Sequence, residues 1–138
     1  MIDNIYEHSE FQNAIVMAQR YEQKKFVEIC FFDDGIGIPG SFKKKGITIE
    51  DHQTIVKAIN GYSTKSEERG YGISSNLRIF TEGMDGEVLV VSGLGAVYIG
   101  KSLQKVYKLQ DQHQLTGTMI SIRISYPAKK VDLHDYIG

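Results

Sequence analysis

The residues with the clearest capacity for chemistry are the run Asp33-Asp34-Gly35-Ile36-Gly37-Ile38-Pro39. It follows the apolar stretch Phe26 to Phe32, so an acidic pair and two glycines stand where a buried strand gives way to a loop. Proteins that layer helices on sheets often bind ligands at such junctions. A carboxylate accepts hydrogen bonds from an exocyclic amine such as that of adenine. Gly35 and Gly37 have no Cβ and let a ligand lie against the backbone, and Pro39 fixes the chain as it leaves. The same residues also make an ordinary Asp-Gly turn at a strand end. The local sequence leaves both readings open.

A second candidate is Gly70-Tyr71-Gly72, which opens a helix whose apolar stripe is Ile73, Leu77, Phe80 and Met84. A helix start offers free N–H groups and the positive end of the dipole, which suit phosphate oxygens, and glycine permits close approach. A structural turn is the plain alternative. Between the two candidates lies a polar, partly structured insertion of about thirty residues, 40–70, the kind of segment that forms a lid or binding loop. Lys43-Lys44-Lys45 in it reads as a solvated face. Thr48 reads as the N-cap of a short helix with Ile49, Thr54, Ile55, Ala58 and Ile59 on one face, ended by Gly61. His52, His113 and His134 lie in polar segments without metal-ligand spacing.

These residues need a scaffold. Ile2 to Ser9 has a short helical pattern and no visible N-cap, as if entered mid-helix, which points to a fragment of a longer protein with earlier elements left out. Asn13 to Tyr21 and Phe26 to Asp33 read as a hairpin, although the Ala-bearing first run also admits a helix. Gly86 to Ser92, apolar on both faces, predicts a central strand. Ala96 to Ile99, Lys105 to Leu109 and Gly117 to Ser125 predict three more. In the last, Ile120, Ile122 and Ile124 face inward and Ser121 and Arg123 outward. No strand-helix-strand alternation spans the chain. The fold class expected is therefore α+β: a two-layer α/β sandwich whose mixed, mostly antiparallel sheet carries helices on one face.

The chain has 138 residues, the size of one domain with one core. At 41% hydrophobic and 24% charged it has the composition of a soluble globular protein. A net charge of -1 argues against a general nucleic-acid binder. The single cysteine, Cys30, cannot close an internal disulfide and reads as a buried structural thiol in a reducing compartment, hence a cytoplasmic protein. No apolar stretch reaches the length of a membrane span, so no membrane contact by this fragment is expected.

Taken together, these pieces resemble the ATP-binding domain of the GHKL superfamily (the Bergerat fold), which includes DNA gyrase, heat-shock chaperones, histidine kinases and MutL-type repair proteins. The histidine-kinase-like branch is the most similar. Asn4-Ile5-Tyr6-Glu7-His8 matches the second half of the family's N-box helix. The resemblance implies that Asn4 holds Mg²⁺ against the phosphates, as an amide oxygen can, with His8 the N-box histidine. Asn13-Ala14 is a competing match, set aside because Asn13 stands where the first strand should begin. Asp34-Gly35-Ile36-Gly37, followed by Ile38-Pro39, resembles the G1 box: Asp34 would take the adenine amine and Gly37 admit the base, with no role left for Asp33. Gly70-Tyr71-Gly72-Ile73 resembles the G2 box, and Gly117-Thr118 the late Gly-Thr, with Thr118 near adenine through water. Ser63-Thr64-Lys65 resembles the lids of hydrolysing members, with Lys65 and Arg69 placed to meet phosphates.

The water-activating glutamate of hydrolysing members stands four residues before the N-box Asn, a position ahead of Met1; Glu7 and Glu10 do not match it. No catalytic residue is identifiable in the chain on this reading. The resemblance implies a Mg-ATP-binding domain of a histidine-kinase-like protein that supplies nucleotide for phosphoryl transfer to an acceptor on a partner or another domain. Two alternatives stand beside it: an ATP-hydrolysing conformational switch, and a non-catalytic nucleotide-binding interaction module.

Overall fold

The structure, a computed structural model, describes residues 13–60 and 77–126. Its centre is a six-stranded sheet in the order β1-β2-β6-β3-β4-β5. The strands are β1 (Ala14–Tyr21), β2 (Phe26–Asp33), β3 (Glu87–Gly93), β4 (Gly95–Ile99), β5 (Gln104–Lys108) and β6 (Leu115–Ser125). Every pairing between them is antiparallel. The fold is α+β, as the strand-rich, non-alternating sequence predicts.

The hairpin forms where expected, with Tyr21 opposite Phe26 and Ala14 opposite Asp33. The last strand then enters the middle of the sheet, pairing with β2 on one side and β3 on the other. That insertion puts Ile120 and Ile122 in register with Phe31 and Ile29 of β2 and with Val90 and Val88 of β3. Side chains directly opposite one another share a face. The result is an apolar patch in which Val88, Val90, Val97, Ile120 and Ile122 are all buried.

Two helices cover that patch: α1 (Gly37–Lys44) and α2 (Asp51–Ile59). Pro39 sits in the first turn of α1, where its missing N–H costs no helical bond. Lys43 and Lys44 lie in its last turn, favourable to the dipole, and are solvated as expected. In α2 the residues Thr54, Ile55, Ala58 and Ile59 turn inward. Its N-cap is Glu50 rather than Thr48. Gln53 Oε1 accepts from the Glu50 N–H at 3.1 Å, a reciprocal cap that a threonine two residues earlier has no reach to make.

Within the expected lid, 40–70, helices α1 and α2 therefore pack against the sheet. Phe42 is 2% exposed and Ile55 fully buried. The rest of that segment, 61–70, lies outside the described residues. The helix expected to run on to Met84 ends in a π-helical turn, Ile79–Gly83, in which the Met84 N–H reaches the Ile79 carbonyl at 3.0 Å. Leu77, at its start, is buried in the same core.

The opposite face of the sheet carries polar and aromatic groups. Arg123 and Glu28 stand opposite each other and bond at 2.8 Å. Cys30 lies on this face, half-buried, and burial raises its thiol pKa, with the Glu28 charge adding to the effect. At one edge of the sheet Lys108 Nζ lies 3.0 Å from Glu50 Oε2 and holds that carboxyl below its usual range. At the other edge Ile15, Val16 and Met17 are exposed. No helix among the described residues is long and apolar enough to cross a membrane.

Candidate functional site

The two aspartates of the opening motif have opposite fates. Strand β2 alternates its side chains, so Val27, Ile29, Phe31 and Asp33 point to the helix-covered face. Asp33 is the last residue of the strand and is fully buried. Its Oδ1 accepts the Gly35 N–H at 2.8 Å, which folds the next two residues into an Asx turn. Asp34 is exposed. Its two carboxylate oxygens accept from the backbone N–H and the side-chain amide of Asn13, each at 2.9 Å. The Asp34 N–H returns to the Asn13 carbonyl at 3.1 Å. Asp34 is thus a clip between the end of β2 and the start of β1.

This corrects the expectation that Asp34 is the ligand-facing carboxylate. Asp33 is buried at the end of β2, whereas Asp34 is exposed. The physical reason is strand parity: of the two aspartates, Asp33 is the one that points into the protein.

Opposite Asp33 in β6 stands Thr118, 6% exposed, and opposite Thr118 on its other side stands Ser92 of β3, fully buried. Three polar side chains from three neighbouring strands therefore share one end of one sheet face. The β3–β6 register shifts here. Ser92 pairs with Thr118, whereas the next residue, Gly93, pairs with Leu115. Thr116 and Gly117 are the extra residues of the bulge. Bulges re-aim side chains and recur beside functional sites. Gly117 takes φ +96°, a conformation that L side chains rarely adopt, and a Cβ there would lie 1.9 Å from the Asp33 carbonyl oxygen.

Gly37 was expected to admit a base. Its φ is +77°, and a Cβ on it would lie 2.7 Å from Ser92 Oγ and 3.0 Å from the Gly117 carbonyl oxygen. The space its missing side chain leaves is filled by the protein itself, which draws the start of α1 onto β3 and β6. Ser92 completes that junction. Its hydroxyl lies 2.9 Å from the Ile38 N–H donor, 2.9 Å from the Gly117 carbonyl and 2.9 Å from Thr118 Oγ1. Gly35 is buried and Ile38 half-buried behind the turn.

The structure thus brings together Gly35, Gly37, Ile38 and Thr118 from the sequence-based candidates, and adds Asp33 and Ser92. Ser92 had a usable signal: it continues the buried period-two series Val88, Val90 at the end of its strand. The other candidates, Asn4, His8, Ser63, Thr64, Lys65, Arg69, Gly70, Tyr71, Gly72 and Ile73, lie outside the described residues. Among the described residues no group of three or more His, Cys, Asp or Glu is placed to hold a metal ion.

Among the described residues the architecture is that of an α+β domain with an antiparallel sheet and a polar cluster at the strand ends under α1. Among solved structures the chain is similar to the ATPase and transducer domains of DNA topoisomerase II from Balamuthia mandrillaris, with 16% identity and a TM-score of 0.44. The match covers 93% of this chain and 34% of that one, so this chain spans about a third of that structure. No protein-family model and no curated protein sequence matches the chain.

Proposed function

We propose that the chain is a nucleotide-binding domain of the GHKL type that takes up Mg-ATP and, in a histidine-kinase-like protein, supplies it for phosphoryl transfer to an acceptor on another domain or partner. The observation that carries the reading is the buried Asp33 carboxylate set opposite Thr118 at the C-terminal end of β2. A carboxylate withdrawn from water is costly unless hydrogen-bond donors meet it. The Gly35 N–H is one such donor, and a carboxylate has acceptor capacity for more. The exocyclic amine of adenine brings N–H groups of the right kind. In this reading Asp33 accepts from the amine, and Thr118 stands beside it, reached directly or through water.

The loop residues have supporting roles. Asp33 and Gly35 form the turn that ends β2. Gly37, by its packing against Ser92 and Gly117, fixes where α1 starts relative to the carboxylate. The phosphate end rests on the motif resemblance: Gly70, Tyr71, Gly72 and Ile73 at a helix start, Ser63, Thr64, Lys65 and Arg69 in a lid, and Asn4 with His8 for Mg²⁺. What ATP supplies is a transferable γ-phosphoryl group. The order of the motifs along the chain supports the family-type reading. The resemblance of Ser63-Thr64-Lys65 to hydrolysing lids favours an ATPase switch as the second reading.

Titration calorimetry of the 138-residue chain with Mg-ATP tests the proposal. A saturable isotherm with one nucleotide per chain is expected. A flat titration by protein shown to be folded contradicts it.

A further inference from the structure

The hydrogen bonds around Ser92 carry an inference about selectivity that rests on the nucleotide reading above and deepens it. A serine hydroxyl has one proton to donate and two lone pairs to accept with. Around Ser92 Oγ stand three partners at 2.9 Å each. The Ile38 N–H can only donate, so it uses one lone pair. The Gly117 carbonyl can only accept, so it takes the single proton. The third partner, Thr118 Oγ1, must then donate to the remaining lone pair. Any other assignment sets two oxygen lone pairs against each other in a fully buried position.

The consequence falls on Thr118. Its proton is committed inward to Ser92, so toward the neighbouring Asp33 it can present only lone pairs. An ionised Asp33 also presents only lone pairs. Two buried side chains on one sheet face, directly opposed across β2 and β6, are then both acceptors. Adenine offers an amine at its six-position, whereas guanine offers a carbonyl oxygen there. We infer that Ser92 is a specificity-determining positioning residue: by taking the Thr118 proton it leaves Thr118, like an ionised Asp33, presenting only acceptors, so that this pair accepts an amine and repels a carbonyl.

The inference separates Ser92 from a purely structural serine. Ser92→Ala removes the partner that holds the Thr118 proton. The freed hydroxyl can rotate, donate to a carbonyl or accept from an amine. The ratio of ATP to GTP affinity should fall by roughly tenfold, the worth of about one hydrogen bond to a polar group. A structural role alone would weaken both nucleotides in proportion, because the Ile38 N–H and the Gly117 carbonyl lose their partner whichever nucleotide binds.

The test is calorimetry with Mg-ATP and Mg-GTP on the wild-type chain, Ser92→Ala, Thr118→Val and the double variant, with folding checked by circular dichroism. The expected result is a wild type that prefers ATP, the same loss of preference in each single variant, and no further loss in the double variant, because both act through one hydroxyl. If Ser92→Ala does not fold, Thr118→Val against Thr118→Ser still decides: only the variant that keeps the hydroxyl should keep the preference. An unchanged ATP-to-GTP ratio in Ser92→Ala, or a further loss when Ser92→Ala is added to Thr118→Val, overturns the inference and leaves the nucleotide reading standing. A folded wild type that binds neither nucleotide overturns that reading and this inference with it.

Discussion

Gly117 lies so close to the Asp33 carbonyl that a Cβ added to it would stand 1.9 Å from that oxygen. The contact joins the bulge of β6 to the last residue of β2, and both sides of it are backbone, which cannot swing aside. Gly117 also holds φ at +96°. Gly117→Ala should therefore cost about 3 kcal/mol or more, from a strained conformation and a backbone clash together. Gly37→Ala meets the Ser92 hydroxyl and the Gly117 carbonyl at longer range and should cost about 1–3 kcal/mol. Urea unfolding monitored by circular dichroism checks both, and a near-neutral Gly117→Ala would count against the packing described.

Helices α1 and α2 each place a large side chain in the core. Phe42 and Ile55 are 2% and 0% exposed. Phe42→Ala and Ile55→Ala should each destabilise by about 2–5 kcal/mol, the range for large apolar side chains deleted from a packed interior. A mobile lid would give changes near zero in the same unfolding experiment.

Asn13 and Asp34 should behave as a pair. Their side-chain and backbone bonds tie the ends of the first hairpin together on an exposed surface. Asn13→Ala and Asp34→Ala should each cost about 0.5–1.5 kcal/mol. Together they should cost less than the sum, because the second change removes a partner already lost. Additive losses would mean that the two residues act separately.

Cys30 should be a slow nucleophile. Burial, and then the charge of Glu28, raises its thiol pKa, so the thiolate fraction at neutral pH is below that of a free cysteine. Alkylation by iodoacetamide should be slower in the native protein than in the urea-unfolded chain at pH 7. The pH of half-maximal rate should lie above the ordinary thiol value. Equal native and unfolded rates at pH 7 would contradict this.

The strands were legible because each carries its own signal. The alternation of Ile120, Ile122 and Ile124 with Ser121 and Arg123 needs no knowledge of neighbours, and the hairpin declares itself by two apolar runs a turn apart. The position of β6 between β2 and β3 carries no local mark, since it depends on which strands meet far along the chain. For that reason nothing local in the sequence links Ser92 to Thr118, or Thr118 to Asp33. The choice between the two aspartates was different. Strand parity running from Val27 through Ile29 and Phe31 to Asp33 was available in the sequence and selects the buried carboxylate. Threonine is a good N-cap, which makes Thr48 attractive in the sequence, but Glu50 is the cap because Gln53 stands three residues on to answer it.

On the proposed function, Asp33 meets the nucleotide while Asp34 serves the hairpin. Calorimetry with Mg-ATP on Asp33→Asn and Asp34→Asn tests it most directly. Asp33→Asn keeps an oxygen for the Gly35 N–H and removes the charge, so it should weaken binding by about 1–3 kcal/mol, roughly 5- to 150-fold. Asp34→Asn should leave the affinity within about twofold, because the exposed Asp34 carboxylate serves the Asn13 clip. The reverse result, with Asp34→Asn impaired and folded Asp33→Asn binding as the wild type does, would contradict the account.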